Sequence, residues 1–311
     1  MADESQKGQA GPPPVPAGIE RRDTAIAGAL AGQDNRAQRA AWLGNIRVNQ
    51  SEIARGRDIR VLHDVFWDIP GVVIGAGPSL EKNVGLLREN HQRYGLFCCD
   101  RAFKRVVENT GVIPPITVVT DMSPAVAGFF GGADTSKTIL VAPTYVAKGV
   151  LALKWREKIF YNVEDFDKGY ESAAFNLSGK RITIIPGGVI VGNMAFLVAK
   201  IAGCNPITFI GSDLSMTEPS KNPGEVTYSH EDEDGNKVYS LAGFLAGFEW
   251  INKFLRFDKD AAAGILKVYN STEGGIMYSN EIKGMPFKEF MERHLGSEKS
   301  LKTMLAKKLG K

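Results

Sequence analysis

A buried strand, a tight turn and a helix start are predicted by the segment Gly71-Val72-Val73-Ile74-Gly75-Ala76-Gly77-Pro78-Ser79-Leu80. Its apolar, β-branched first half is typical of a strand inside a parallel sheet, and the glycines and proline predict a sharp turn. We expect Pro78 or Ser79 to open the helix, because proline lacks an N–H that would be unpaired there and serine caps helices. The N–H groups of such a helix start favour an anion, most often a phosphate.

Two familiar phosphate motifs do not occur at this turn. Leu80 stands where G-x-G-x-x-G would have its third glycine, and no Gly-Lys-Ser/Thr follows as in a Walker loop. Gly75 and Gly77 still allow a ligand to touch the backbone, because they carry no Cβ. The alternative interpretation is a strand-to-helix turn that binds nothing, since such glycine turns are common in α/β domains.

Composition and charge exclude several classes of protein. The 311 residues are enough for one large α/β domain with extensions, and a net charge of +3 is too small to indicate nucleic-acid binding. No apolar run reaches the length of about 20 residues that a membrane span needs, and no signal peptide is recognisable. Three cysteines and four scattered histidines predict neither a disulfide framework nor a zinc site, so we expect a cytoplasmic protein.

The chain divides into four parts by composition. Residues 1–20 are rich in proline, glycine and polar side chains, which predicts disorder, and 21–69 form a helix-prone extension. Residues 70–290 are the expected nucleotide-binding domain, and 291–311 form a helical tail that ends in lysines.

Strand and helix patterns alternate through the expected domain. Because the strands are almost continuously apolar, they predict an α/β fold with a Rossmann-like, mostly parallel sheet and helices on both faces. The predicted strands are 72–75, 95–99, 116–120, 138–142, 159–163, 182–185, 207–210 and 265–269. Helices are predicted over about 79–91, 145–155, 189–202 and 241–257, with loops at 164–179 and 216–236.

Polar residues gather just after the predicted strands, where the ligand crevice of an open parallel sheet lies. A single aspartate there is more often a helix cap, but recurrence at one edge indicates a site. These residues are Asp100, Thr120, Asp121, Ser123, Gly187, Gly188, Gly211, Ser212 and Asp213. The loop 216–236, which holds Tyr228 and His230, and the turn Asn270-Ser271-Thr272-Glu273-Gly274-Gly275 are further candidate elements of the crevice.

Together these motifs resemble the central domain of the bacterial motility accessory factors, which are glycosyltransferase-like proteins of flagellin glycosylation. That domain is similar to archaeal hydroxymethylpterin pyrophosphokinases and, more distantly, to bacterial sialyltransferases. The resemblance covers about 70–290 and rests on Gly75-Ala76-Gly77-Pro78-Ser79-Leu80, Thr120-Asp121, Pro186-Gly187-Gly188-Val189, Gly211-Ser212-Asp213-Leu214, His230, the turn 270–275 and the segment 282–289. Asp100 departs from the asparagine with which sialyltransferases hold the nucleotide, so the choice of nucleotide stays open.

The resemblance implies transfer of a sialic-acid-like nonulosonic sugar from a CMP-sugar donor to a hydroxyl of a protein or glycan acceptor. The expected nucleotide-binding residues are Gly75, Ala76, Gly77, Pro78, Ser79, Leu80, Asp100, Thr120, Asp121, Gly187, Gly188, Gly211, Ser212, Tyr228, Ser271, Thr272 and Gly274. His230 is the expected base, because a histidine with a pKa near 6.5 suits removal of the acceptor's proton. Asp213 is expected to orient His230 or to bind the nucleotide.

Three other hypotheses remain open from the sequence. A pyrophosphoryl transfer from ATP to a pterin-like alcohol would use Mg²⁺, for which Asp100 and Asp121 supply carboxylates. An NAD-dependent oxidoreductase would use Asp100 on a ribose, but Pro78 and Leu80 argue against that turn. A degenerate member that only binds is the fourth, because a fold does not determine a function. The sequence leaves the oligomeric state undetermined.

Overall fold

A computed structural model of the protein describes residues 35–165, 167–296 and 301–310. The predicted disordered tail 1–20 and the first part of the helical extension lie outside these ranges. In the described part, a ten-stranded, wholly parallel sheet forms the centre of the molecule. The α/β fold with a mostly parallel sheet, which the apolar strand patterns predicted, is therefore confirmed.

The strands of this sheet lie in the order β1-β6-β5-β4-β3-β2-β8-β11-β12, and β7 adds to β6. Their bounds are β1 Arg57–Asp58, β2 Gly71–Ile74, β3 Gly95–Cys99, β4 Ile116–Val118, β5 Ile139–Pro143, β6 Glu157–Val163, β7 Ile184–Ile185, β8 Ile207–Ile210, β11 Val268–Asn270 and β12 Lys283–Gly284. A separate antiparallel hairpin joins β9 Thr227–Glu231 to β10 Lys237–Leu241. The chain builds outward from β2 through β3 to β6, then returns to the other side of β2 as β8.

Helices cover the sheet and extend beyond it. Their bounds are α1 Asn35–Arg55, α2 Leu80–Asn83, α3 Leu87–Asn90, α4 Asp100–Thr110, α5 Lys148–Ala152, α6 Lys168–Leu177, α7 Val191–Ile201, α8 Ala242–Phe257, α9 Lys259–Ala262, α10 Phe287–Arg293 and α11 Leu301–Leu309. Short 3₁₀ helices occupy Ile59–Leu62, Val84–Leu86, His91–Arg93 and Pro124–Phe130. No helix in the described ranges is long and apolar enough to cross a membrane.

Two apolar clusters, one on each face of the sheet, form the core. Successive side chains of a strand point to opposite faces, so Val73 packs in one cluster and Val72 and Ile74 pack in the other. Every residue of β2 and β3 is buried, which accounts for their unbroken apolar runs. Cys98 and Cys99 divide between the two faces in the same way and are buried free thiols.

Helix α1 packs on the carboxyl side of β5. The indole of Trp42 stacks on the ring of Tyr145 with 4.6 Å between ring centroids. The Asn45 amide donates to the Tyr145 carbonyl, and the Asn49 amide donates to the carbonyls of Thr144 and Val146. The helix-prone extension thus fastens the loop that follows β5.

Three local predictions were wrong. The predicted continuous helix 79–91 is a series of one-turn pieces: one 3₁₀ helix separates α2 from α3, and a second follows α3. The predicted loop 164–179 contains α6, because the carboxylate of Asp167 caps its first turn and Tyr170 is buried on the core. The predicted loop 216–236 contains β9, whose partner β10 follows it directly along the chain.

Candidate functional site

A cavity of about 600 Å³ opens at the carboxyl ends of the central strands. It lies where β2 is flanked by β3 on one side and β8 on the other. This is the point at which the strand order reverses, and in open α/β sheets the ligand crevice lies at such a point. The cavity lining includes Gly75, Cys99, Thr120 and Gly211, each near the end of a different strand.

The ends of β2 and β8 approach each other more closely than side chains would allow. A Cβ on Gly75 would lie 2.4 Å from the Gly211 carbonyl oxygen, and Gly211 has a positive φ of 59°. The Gly77 N–H donates to the same Gly211 carbonyl at 2.7 Å. The two glycine turns are therefore locked together at the base of the cavity.

Asp213 occupies the place where the sequence predicted a phosphate. Its carboxylate accepts the Ser79 N–H at 3.2 Å and the Ser79 hydroxyl at 2.7 Å. A Cβ on Gly77 would lie 1.8 Å from an Asp213 oxygen, so the missing side chain makes room for this carboxylate. Burial raises the pKa of Asp213, although both hydrogen bonds from Ser79 oppose that shift.

The sequence predicted that Ser79 would cap the helix. In the structure its side chain makes no capping hydrogen bond to α2. Its hydroxyl is turned toward Asp213, and its N–H is also used there. The Leu80 N–H donates to the Gly77 carbonyl at 3.2 Å. Within this turn, the N–H groups of Gly77, Ser79 and Leu80 all have partners in the protein, and α2 is only four residues long.

A second helix start faces the cavity with different chemistry. Residues Ile190, Val191, Gly192 and Asn193, at the beginning of α7, line the cavity. Ile190 is the N-cap residue and makes no side-chain hydrogen bond to the first turn. The buried Asn193 amide accepts the Ile190 N–H at 3.3 Å and donates to the Gly247 carbonyl at 3.1 Å, which ties α7 to α8. The positive end of an eleven-residue helix thus points into the cavity.

Asp100 and Asp121 also line the cavity, after β3 and β4. Asp100 is 5% exposed, and burial raises its pKa to about 6, with a smaller contribution from the neighbouring charge of Asp121. The Arg101 N–H donates to an Asp100 oxygen at 2.7 Å. Asp121 is exposed and accepts the Ser123 N–H at 2.7 Å. A carboxylic acid whose pKa lies close to neutrality is suited to proton transfer.

Apolar side chains form the remaining wall of the cavity, and a polar loop covers part of it. Phe129, Phe209, Phe244, Ile251 and Met277 contribute the apolar surface. The loop contributes Ser220, Asn222 and Glu225, whose side chains bond to one another. Leu214, which also lines the cavity, has a φ of +52°, an uncommon backbone conformation for a residue other than glycine.

The structure brings most of the sequence-predicted residues to this cavity. Those that line it are Gly75, Ala76, Gly77, Pro78, Asp100, Thr120, Asp121, Gly211, Ser212 and Asp213. Ser79 lies directly behind the lining, bonded to Asp213, and Leu80 is fully buried in the core.

The turn 270–275 lies behind the lining and supports it. Ser271 and Thr272 are fully buried; the Thr208 hydroxyl bonds to the Ser271 hydroxyl at 2.8 Å, and the Thr272 hydroxyl accepts the Ser212 N–H at 3.1 Å. A Cβ on Gly274 would lie 3.5 Å from the Ser79 Cβ and 3.6 Å from an Asp213 oxygen. This turn fixes the position of the segment 211–213.

Four predicted residues lie away from the cavity lining. His230 and Tyr228 are on β9, half-buried, and Tyr228 packs against the small cluster of Val238, Leu245 and Ile276. Gly187 and Gly188 precede α7; the Gly188 N–H is directed to the Met194 sulfur at 3.0 Å. The roles of these residues remain predictions.

The sequence predicted a helix over about 189–202 and expected its ligand-binding start at Gly187 and Gly188, whereas the residues that line the cavity are 190–193. The aromatic residue Phe129 was missed by sequence reasoning. Phe129 lies in a segment with a hydrophobic pattern that the sequence could not distinguish from core. Only the strand order brings these residues to one place.

The charge of the lining is mainly negative. It contains Asp100, Asp121, Asp213 and Glu225. Among the described residues, no group of three or more histidine, cysteine or acidic side chains could hold a metal ion. Mg²⁺ is commonly held by one or two carboxylates together with substrate phosphates, so the pair Asp100 and Asp121 fits that requirement.

Comparisons with known proteins identify a family by sequence and a similar fold among solved structures. The sequence profile of the family described as 6-hydroxymethylpterin diphosphokinase MptE-like matches residues 44–219. The structure is similar to that of the MAf glycosyltransferase from Magnetospirillum magneticum AMB-1, with a TM-score of 0.62 and 17% sequence identity over 86% of this chain. The chain spans 41% of the length of that protein. No curated protein matches the sequence.

Proposed function

The chain belongs to the 6-hydroxymethylpterin diphosphokinase MptE-like family, whose profile matches more than half of it, and on that premise we propose that it is a nucleotide-dependent transferase. Specifically, we propose transfer of a nonulosonic sugar from a CMP donor to a hydroxyl of a protein or glycan acceptor. The observation that carries the proposal is the cavity of about 600 Å³ at the strand-order reversal, into which the start of α7 points.

Two parts of the cavity lining suit two parts of such a donor. The positive end of α7 can hold the phosphate and stabilise the charge that develops on it as the glycosidic bond breaks. The apolar wall around Phe244 and Met277 excludes water from the reacting carbon. The fold of the MAf glycosyltransferase supports this arrangement, since the fold is shared although the sequences are only 17% identical.

The acceptor hydroxyl must lose a proton during the transfer. His230 is the sequence-based candidate for the base, although it does not line the cavity. Asp100 does line it, and its pKa of about 6 lets the ionised form accept a proton at neutral pH. We therefore assign the proton acceptor by comparing His230→Ala with Asp100→Asn in a transfer assay, each checked for CMP affinity. Loss of transfer with CMP affinity retained identifies the base.

Calorimetric titration of the protein with CMP, UMP, AMP, ATP and NAD, each with and without Mg²⁺, tests the proposal. Metal-independent binding of CMP, tighter than that of UMP and AMP, is the expected result. Binding of none of the five would contradict a nucleotide-dependent transferase and leave a protein that binds other ligands on this fold. If CMP binds, candidate CMP-sugars are tested next for release of CMP.

A diphosphotransferase is the second candidate, and the acidic lining supports it. Phosphates of ATP would be repelled by the four carboxylates of the lining unless Mg²⁺ bridged them, and Asp100 and Asp121 are placed to hold that ion. The MptE-like family description also favours it. Binding of ATP that requires Mg²⁺, together with its loss in Asp121→Asn, would replace the glycosyltransferase proposal by this one.

A further inference from the structure

The proposed nucleotide brings negative charge into a cavity that is already acidic. Four carboxylates line it, from Asp100, Asp121, Asp213 and Glu225. Of the described residues in the lining, Arg101 alone carries a cationic side chain. Like charges repel strongly where water is excluded, so a phosphate-bearing ligand needs a compensating positive group in this cavity.

Arg101 sits where positive charge is otherwise unfavourable. It is the second residue of α4, and the positive end of a helix disfavours a cation in its first turn. Its backbone N–H is bonded to Asp100, which fixes the start of its side chain at the cavity. The side chain itself is exposed. Helix end and guanidinium together form a local concentration of positive charge beside the acidic lining.

The guanidinium rests on an aromatic ring instead of a carboxylate. Its central carbon lies 4.6 Å from the centroid of the Phe129 ring, which also lines the cavity. In the described part of the chain, no salt bridge engages Arg101. A cation–π contact at an exposed site is weaker than charge-assisted hydrogen bonds from a guanidinium to a phosphate. A phosphate can therefore displace Phe129 as the partner of Arg101.

We propose that Arg101 selects phosphate-bearing ligands for this cavity. Its guanidinium moves away from the Phe129 ring and donates two N–H groups to the phosphate. The exposed ring then offers an aromatic face to the base of the same ligand. This inference rests on the proposed function, because it assumes that the ligand is a nucleotide. It assigns to Arg101 a role in specificity that is separate from the proton transfer assigned to His230 or Asp100.

The test compares CMP with cytidine, which differ only by the phosphate. Calorimetry on the full chain measures both affinities for the wild type and for Arg101→Gln. We expect Arg101→Gln to weaken CMP binding by about tenfold or more and cytidine binding by less than about twofold, since only the charge-assisted bonds are lost. CMP affinity within twofold of the wild type, or an equal loss for both ligands, would overturn the inference.

Two matched variants control the comparison. Lys104→Gln removes a neighbouring cation on α4 that pairs with Glu108 and does not line the cavity, so both affinities should stay unchanged. Phe129→Leu removes the ring and keeps the cation, so the ratio of the two affinities should stay at the wild-type value. If Phe129→Leu lowers the ratio of CMP affinity to cytidine affinity as much as Arg101→Gln does, the preference for the phosphate belongs to the ring. That result would overturn the role of Arg101.

Inorganic diphosphate separates this inference from the proposed function. If the wild type binds diphosphate and Arg101→Gln does not, the anion-selecting role stands even where CMP and cytidine both fail to bind. If CMP binds equally well to the wild type and to Arg101→Gln, the nucleotide-dependent function stands and the role of Arg101 is overturned. Failure of the wild type to bind CMP, ATP and diphosphate overturns both.

Discussion

Two helix starts meet the cavity, and their first turns are capped in different ways. At the Gly75–Ser79 turn the N–H groups of Gly77 and Ser79 are bonded to Gly211 and Asp213. At the start of α7 the N-cap residue Ile190 offers no side-chain cap to the first turn, which lines the cavity. A glycine-rich turn thus serves internal packing here, whereas a less conspicuous helix start faces the space where a ligand fits.

Substituting Gly77 should give the largest effect. In Gly77→Val the new side chain would collide with Asp213, whose carboxylate oxygen, carboxyl carbon and Cβ all lie within 3 Å of the added Cβ. We expect a loss of about 3 kcal/mol in the free energy of unfolding, measured by denaturant titration. Gly192→Ala is the matched control, because nothing lies within ordinary contact distance of its Cβ except the end of Ile190. Equal stability of the two variants would show that the Gly77 turn is not closed by Asp213.

The next effect distinguishes the two buried carboxylates. The folded-state pKa of Asp100 is raised to about 6, so the folded protein binds this proton more tightly than the unfolded chain. Its stabilising contribution is complete below pH 4 and is lost as the pH rises through about 6. We expect the wild type to lose about 2 kcal/mol of unfolding free energy relative to Asp100→Asn between pH 4 and pH 7.

Asp213→Asn is the comparison for this pH profile. Burial raises the pKa of Asp213 as well, so this variant should also remove part of the loss of stability with rising pH. Asp213 accepts two hydrogen bonds from Ser79, so Asp213→Asn, unlike Asp100→Asn, should in addition destabilise the protein at both pH values. A parallel pH profile for the wild type and Asp100→Asn would contradict the raised pKa of Asp100.

A smaller effect is expected on ligand affinity when a residue at the start of α7 is changed. Gly192→Ala adds a methyl group to the cavity lining at the positive end of α7, so CMP affinity should fall by about tenfold. The unfolding free energy should stay the same or rise slightly, because alanine is the better helix former. Unchanged CMP affinity, measured by calorimetry, would remove the start of α7 from the phosphate site.

The smallest effect should come from Arg105, whose side chain supports the Gly75–Ser79 turn. The Arg105 guanidinium donates to the carbonyls of Ala76 and Gly77 and to Glu81. Arg105→Gln should lower the unfolding free energy by about 1 kcal/mol, since the bonds are partly exposed to water. Lys104→Gln, on the same helix and in an exposed pair, should change it by less than about 0.5 kcal/mol. Equal losses in the two variants would show that Arg105 does not support the turn.

Much of the fold could be predicted because a buried strand has a recognisable local pattern, a continuous run of apolar residues. The predicted strands 95–99 and 207–210 coincide with β3 and β8, whose residues are all buried. The errors fall where local pattern is weak. Helix α6 depends on the cap from Asp167, and β9 is a strand only because β10 pairs with it. A two-stranded hairpin needs its partner, and a polar sequence does not reveal that partner.

The sequence predicted where the candidate site lies in the fold, but not which of its residues contact one another. Asp100, Asp121 and Asp213 come after strands, and parallel strands end at one edge, so their meeting followed from the pattern. The pairing of Ser79 with Asp213 joins residues 134 positions apart. No local signal distinguishes a carboxylate that closes a turn from one that faces a ligand.

The sequence by itself determined the parallel α/β fold, the buried strands and the edge at which polar residues collect. Those features depend on apolar periodicity and on residues adjacent along the chain, which a sequence displays directly. The tertiary structure alone decided that Asp213 fills the space beside Gly77, that the start of α7 opens into the cavity and that Arg101 lies over Phe129. Those contacts depend on which strands become neighbours, and strand order is set by the packing of the whole sheet.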